Sequence, residues 1–175
     1  MNKELSLCAL CVRLRALEPE DTDMMFAAES DEAAWKYSDY LAPLSRELLR
    51  HYALTYDADP LRSGQLRLIV DIDGSPAGIL DIFDISPRHL RADIGIYILP
   101  EFRGKGIATA ALEEAKSYCR IRLGLHQLTA TVANSNLFAL NTFKKANFSP
   151  TGYRPDWLRT PEGYEAATLL SSILL

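Results

Sequence analysis

The chain has 175 residues, with nineteen Lys and Arg against twenty-three Asp and Glu (net charge -4), and is 48% hydrophobic and 24% charged. Those values fit one globular domain over residues 1–175 and exclude a disordered or low-complexity chain. No apolar run approaches the ~20 residues of a membrane helix. Three cysteines are too few for a disulfide framework, and the acidic balance argues against a nucleic-acid surface, which wants a basic stripe.

The apolar start, residues 6–12, is short and runs into Arg13 and Arg15 without a small-residue cleavage pattern. It reads as the lead-in to a strand rather than a signal peptide. Without an export signal or disulfides, the expected location is the cytoplasm. Cys8 and Cys11 have C-x-x-C spacing, but no second ligand pair follows, so no metal is expected and the thiols read as inert.

In chain order, residues 12–17 alternate as a short strand, and Pro19 turns the chain. Asp21 or Thr22 is placed to cap a helix containing Met24, Met25, Phe26 and Ala28. Residues 31–43 are irregular. Ser45 opens a second helix, striped by Leu48, Leu49 and Tyr52, and residues 57–64 read as a loop. Leu66, Leu68, Val70 and Ile72 share the face of a strand, Asp73-Gly74 signals a hairpin, and residues 77–83 return. After a loop at 84–90, residues 91–99 form a strand that Pro100 ends. A helix over about 105–123 follows, striped by Ala108, Leu112, Ala115 and Cys119. A strand at 128–132, a helix through Leu137, Leu140 and Phe143, and a last strand at 164–170 complete the order. Strand–helix–strand succession late in the chain implies a parallel pair with a right-handed crossover. The fold class is therefore α/β (α+β): a mixed, mostly antiparallel sheet of six to seven strands with about four helices on both sides.

Residues 94–112, IGIYILPEFRGKGIATAAL, carry the chemistry. A strand stops at Pro100 and a compact loop opens into a helix. Gly104 and Gly106 remove side chains there, so backbone N–H groups can approach a ligand closely. The first-turn N–H groups of a helix lack internal partners and sit at its positive end, a natural seat for phosphate. Arg103 and Lys105 add positive charge, and Thr109 a hydroxyl. The loop is neither a P-loop nor a dinucleotide fingerprint. On composition alone it also reads as a plain glycine-rich turn.

Arg103-Gly104-Lys105-Gly106-Ile107-Ala108 resembles the [RQ]-x-x-G-x-[GA] motif of the GCN5-related N-acetyltransferase superfamily. The opening V-R-L-R-A-L-E-P-E-D is similar to its first strand and turn, and R-A-D-I-G at 91–95 to its fourth strand. Residues 136–148 are similar to its N-x-x-[SA]…G-F element, with Asn147 in place of the usual Gly. The nearest branches are ribosomal-protein N-terminal acetyltransferases and spermidine/diamine acetyltransferases.

This resemblance implies acetyl-CoA as the acyl donor. It implies a pyrophosphate seat at Arg103, Gly104, Lys105, Gly106, Ile107, Ala108 and Thr109. It implies a pantetheine arm along a bulged fourth strand at Ile96, Tyr97, Ile98 and Leu99, and a cofactor contact at Asn136, which reads equally as a helix N-cap.

An amine of pKa ~10.4 is almost wholly protonated near neutrality, so a base is useful. Asp93 stands where many relatives carry Glu, and its shorter side chain suits a water relay. Burial would raise its ordinary pKa of ~3.9. The competing reading is a strand residue paired with Arg91 or Arg154. The backbone N–H near Ile98 is the expected oxyanion donor. Phe143 stands where relatives place a Tyr acid, which leaves Tyr97, Tyr153, Tyr164 or unassisted thiolate departure. Glu29, Asp31, Glu32 and Asp39 lie beside Trp35, Tyr37 and Tyr40, and carboxylates with aromatic faces suit a cationic amine. Glu29, Asp31, Trp35 and Tyr37 are the expected acceptor residues.

The expected activity is direct acetyl transfer to a primary amine, either a small polyamine or a protein N-terminus. The rivals are a non-catalytic acyl-CoA sensor and an antibiotic-modifying acetyltransferase. A homodimer follows by analogy alone.

Overall fold

The computed structural model describes residues 11–38 and 41–175. Cys8, Asp39 and Tyr40, singled out above, lie outside the described residues. Strand β1 (Val12–Ala16) leads through a 3-10 turn (Pro19–Asp21) into α1 (Thr22–Glu29), the one-turn α2 (Glu32–Trp35) and α3 (Arg46–Thr55). A second one-turn helix, α4 (Pro60–Ser63), precedes the hairpin of β2 (Leu66–Ile72) and β3 (Ser75–Ser86). Then come β4 (Arg91–Ile98), a 3-10 turn (Pro100–Phe102), α5 (Ile107–Arg122), β5 (Gln127–Ala133), α6 (Leu137–Lys145), β6 (Ser149–Thr160) and β7 (Gly163–Ile173). The sheet order is β1-β2-β3-β4-β5-β7-β6, and β4–β5 is the parallel pair.

The sheet is covered on both faces. On one, α5 and α6 pack on Val70, Leu80, Ile82, Ile94, Leu128 and Leu170. On the other, α1 and α3 pack on Ile69, Ile79 and Leu99. Val70 and its neighbour Ile69 are both fully buried, as a central strand covered on two sides requires. Asp73 and Gly74 take φ 51 and 86, the left-handed pair that a two-residue hairpin needs. Ser45 caps α3, accepting from the Leu48 N–H at 3.1 Å.

Four sequence expectations need correction. The expected order has no strand between the helix through Phe143 and residues 164–170, yet β6 lies there although Pro150, Gly152 and Pro155 interrupt any alternation. It survives as an edge strand, where a missing donor is tolerated. The segments around α2 and α4 were expected without helix, yet each forms one turn capped by an aspartate, Asp31 and Asp59. Asp21 makes no side-chain cap to α1. Its buried carboxylate instead takes both guanidinium arms of Arg15, at 2.7 and 2.8 Å. Helix α5 starts at Ile107 rather than Lys105, since Gly104 and Gly106 both have left-handed φ (77 and 78).

Among the described residues no helix is long and apolar enough to cross a membrane.

Candidate active site

Strand β4 positions the site because it keeps one neighbour and leaves the other. It pairs with β3 in continuous register from Ile98 to Asp93. Its parallel ladder with β5 covers only Arg91, Ala92 and Asp93. The register shift along β3–β4 falls between Phe83 and Ser86, so the opening comes from β4 and β5 diverging beyond Asp93. A cavity of about 200 Å³ lies in this gap, lined by Ile94, Gly95, Ile96, Thr131, Asn136 and Phe143, among others.

Hydrogen-bond alternation divides the expected stretch 96–99. Leu99 donates its N–H to the Ala77 carbonyl on β3, at 2.9 Å. Donors alternate between the two edges of an antiparallel strand. The N–H groups of Tyr97 and Leu99 therefore face β3, and those of Ile96 and Ile98 face the gap. Leu99 also buries its side chain in the α1/α3 core. Of the four, Ile96 and Ile98 are the ones able to offer backbone to a ligand in the gap.

Next to the gap, Gly106 is the N-cap of α5 and has no side-chain cap bond. The first intrahelical bond runs from Ala110 N–H to the Gly106 carbonyl. The N–H groups of Ile107, Ala108 and Thr109 thus open the helix as its orphan donors. A Cβ on Gly104 or Gly106 would meet nothing within 4 Å, so both face open space. Ile107 is buried and anchors the turn. These features fit a diphosphate.

Formal charge at the rim is lower than expected. Arg103 sends Nε to the Ile98 carbonyl and Nη2 to Asp31, both at 2.8 Å. Lys105 folds back on the Glu101 carbonyl at 2.9 Å.

Asp31 is likewise not a free acceptor-binding carboxylate, because its oxygens are taken. It receives the Arg103 guanidinium, the Tyr97 hydroxyl at 2.8 Å and the Ala33 N–H at 3.0 Å. The Arg103 bond leads in holding its pKa below the ordinary value, with Tyr97 and Ala33 adding to it against the opposing effect of burial. Burial and the bond to Asp31 drive the Tyr97 phenol well above its ordinary value, so Tyr97 is a poor proton donor.

Asp93 is half-buried and accepts from the Thr129 hydroxyl on β5. That partner replaces the Arg91 or Arg154 weighed above. Asn136 is the N-cap of α6, its Oδ1 accepting from the Ala139 N–H at 3.1 Å, and it also lines the cavity. Tyr37 lines the cavity too, with its hydroxyl 3.4 Å from Ser135 Oγ. Trp35 is half-buried on α2 and is not part of the lining. Phe143 reaches the cavity, packs edge-on against Phe148 (centroids 5.1 Å apart), and has no proton to give. Tyr153 and Tyr164 are exposed on β6 and β7, outside the lining. Cys119 is buried within α5, its thiol pushed up to about 12 by that burial, which removes it as a nucleophile.

Glu29 sits apart from Asp31, in a cluster that sequence reasoning missed. Arg67 on β2 forks onto Asp81 of β3 at 2.8 and 2.8 Å and lies 3.7 Å from Glu29. Burial raises the Glu29 pKa, against the lowering charge of Arg67. Two carboxylates face one guanidinium, which leaves the cluster acidic. A signal existed, since Arg67 and Asp81 are lone charges inside otherwise apolar strand runs, LRLIV and GILDI.

The splayed parallel pair and the uncapped helix after it form an open strand edge and an anion seat, the arrangement that the acetyltransferase resemblance implies. The acetyltransferase (GNAT) domain model matches residues 12–149. Spermidine N(1)-acetyltransferase of Escherichia coli (strain K12) is 31% identical over 141 residues, covering 81% of this chain and 74% of that protein. The putative ribosomal N-acetyltransferase YdaF of Bacillus subtilis (strain 168) is 29% identical over 140 residues, covering 71% of this chain and 70% of that protein. Among solved structures, the spermidine N-acetyltransferase from Vibrio cholerae in complex with CoA and spermine has a TM-score of 0.81 at 22% identity, covering 93% of this chain and 95% of that one. Mycobacterium smegmatis RimJ in complex with CoA-disulfide has a TM-score of 0.81 at 20% identity, covering 93% and 81%. At those identities the structural likeness speaks for the fold.

The chain belongs to the GNAT family, and it is an acetyl-CoA-dependent N-acetyltransferase.

Proposed function

We propose that the chain acts as one catalytic domain that acetylates a primary amine of a small polyamine. The observation that carries this reading is the acidic cluster of Glu29 and Asp81 sharing Arg67, on the sheet face that also bears Asp93. A cationic acceptor gains from the net negative charge of this mostly buried cluster before any chemistry begins. The similarity to the spermidine N(1)-acetyltransferases supports it. A homo-oligomer is part of the proposal, by analogy with the dodecameric Vibrio cholerae spermidine N-acetyltransferase.

In this reading the amides at 106–109 hold the diphosphate, Ile96 offers backbone to the pantetheine arm, and Ile98, whose carbonyl is taken by Arg103, keeps its N–H for the reacting carbonyl. Asp93, fixed by Thr129, removes the amine proton through water. The amine nitrogen attacks the thioester carbonyl, and the Ile98 N–H faces the developing oxyanion. The carbon–sulfur bond then breaks, CoA leaves as the thiolate, and the second proton of the attacking nitrogen passes to water as the amide forms. Phe143 cannot protonate the sulfur, and the Tyr97 proton is held by Asp31.

Thiol release from acetyl-CoA against a panel of spermidine, spermine, an N-terminal peptide and an aminoglycoside tests the acceptor. Polyamines are expected to give the highest kcat/KM. A preference for the peptide would overturn the polyamine reading and leave the family assignment intact.

A further inference from the structure

Asp31, Arg103 and Tyr97 come from three separate segments and meet in one cluster. Asp31 ends the α1–α2 turn, Tyr97 lies on β4, and Arg103 lies in the loop before α5. The carboxylate takes the Tyr97 hydroxyl and the Arg103 Nη2 on the same oxygen, Oδ2. The guanidinium carbon stands 5.2 Å from the centroid of the Tyr97 ring. The second arm of Arg103, Nε, reaches the Ile98 carbonyl.

The consequence falls on Ile98. The peptide unit after it is fixed at both ends, its carbonyl by Arg103 and the following Leu99 N–H by Ala77. The residue before it, Tyr97, is fixed through its hydroxyl. Asp31 stands behind both restraints. A charge-assisted hydrogen bond is stronger than a neutral one, and the Asp31 side chain is only 15% exposed although that of Arg103 is 46% exposed.

We propose that Asp31 is a positioning residue. Through Arg103 and Tyr97 it clamps both sides of the Ile98 amide, so that this N–H is aimed into the gap when the thioester carbonyl becomes an oxyanion. The inference rests on the reading of Ile98 given above and deepens it. It reassigns Asp31 from acceptor binding to the geometry of the acyl-transfer step. It also makes Arg103 a structural strut rather than a phosphate ligand.

The test is Asp31→Asn in the full chain. Asn is a good N-cap, so the cap of α2 is retained while Arg103 loses its anionic partner. A misplaced donor costs rate rather than ground-state binding. Turnover with spermidine is expected to fall about ten- to a hundredfold, with the acetyl-CoA Kd and the spermidine KM within about twofold of the parent.

Arg103→Lys is the second variant. It keeps a charge for Asp31 but cannot bridge Asp31 and the Ile98 carbonyl together, and it should lower kcat in the same selective way. Unchanged kcat in both variants would overturn the proposal. So would a loss of acetyl-CoA affinity equal to the loss of turnover, since that would place Arg103 on the cofactor. A rise in spermidine KM alone would return Asp31 to acceptor binding. Absence of thiol release by the parent with every amine would sink the wider polyamine reading instead.

Discussion

The seat at the start of α5 and the cluster over β2 and β3 flank the same strand, yet they are made of different material. The seat is backbone: two left-handed glycines and the first-turn amides of one helix, all within six residues. The cluster is side chain: Glu29, Arg67 and Asp81 come from α1, β2 and β3. A backbone seat depends on local conformation, so it resists most substitutions and is sensitive to those at its glycines. A side-chain cluster depends on tertiary placement and on charge, so it responds to pH and to the loss of single groups.

The sharpest way to break that contrast is Gly106→Val. A branched side chain at φ 78 is strained by about 1–2 kcal/mol, and it would project where nothing in the protein stands. Acetyl-CoA affinity by calorimetry is expected to fall at least tenfold. Unchanged affinity would remove the backbone seat.

Asp93→Asn separates chemistry from binding on the same strand. Turnover at neutral pH should drop about a hundredfold, with acetyl-CoA affinity nearly unaltered. An equal loss of both would make Asp93 structural.

The smallest effect concerns acid stability. Asp71 is buried, which opposes its charge, but Arg15, the Gly74 N–H and Arg13 together hold its pKa below the ordinary value. Asp31 is held below its ordinary value as well. The unfolded chain therefore binds more protons as the pH falls past ~4. The stability from these two groups is present above that point and is lost as the pH drops through their folded values. Glu29 works in the opposite sense, because its raised pKa means that acid relieves the cost of its buried charge. Thermal melts from pH 6 to pH 3 should show a falling midpoint, and Asp71→Asn should flatten the lower part of that curve. An identical curve for the variant would show that Asp71 is not the source.

The same contrast explains what could be read from the residues. Gly104, Gly106 and the apolar stripe of α5 lie within one local segment, so the glycine loop and the helix after it were legible from spacing. The hairpin at Asp73-Gly74 was legible for the same reason. Asn147, placed where the family motif has Gly, takes φ 61, a conformation that Asn tolerates better than most residues, so that departure from the motif leaves the turn intact. The links from Asp31 to Tyr97 and Arg103, and from Asp93 to Thr129, join residues 36 to 72 positions apart. No local pattern encodes such pairs. Strand β6 was hidden by its prolines, which argue against a strand in the middle of a sheet but not at its margin.

Those prolines have a further consequence. β6 spans twelve residues at the end of the strand order, and a free margin of that length would template cross-β growth with any extended chain it met. Pro150 and Pro155 each lack a donor, and the register shifts at Pro150/Gly152 and Arg154/Leu158 give the margin extra twist. The ribbon is thereby a poor mould for fibrils, and it has that protection with no covering helix among the described residues.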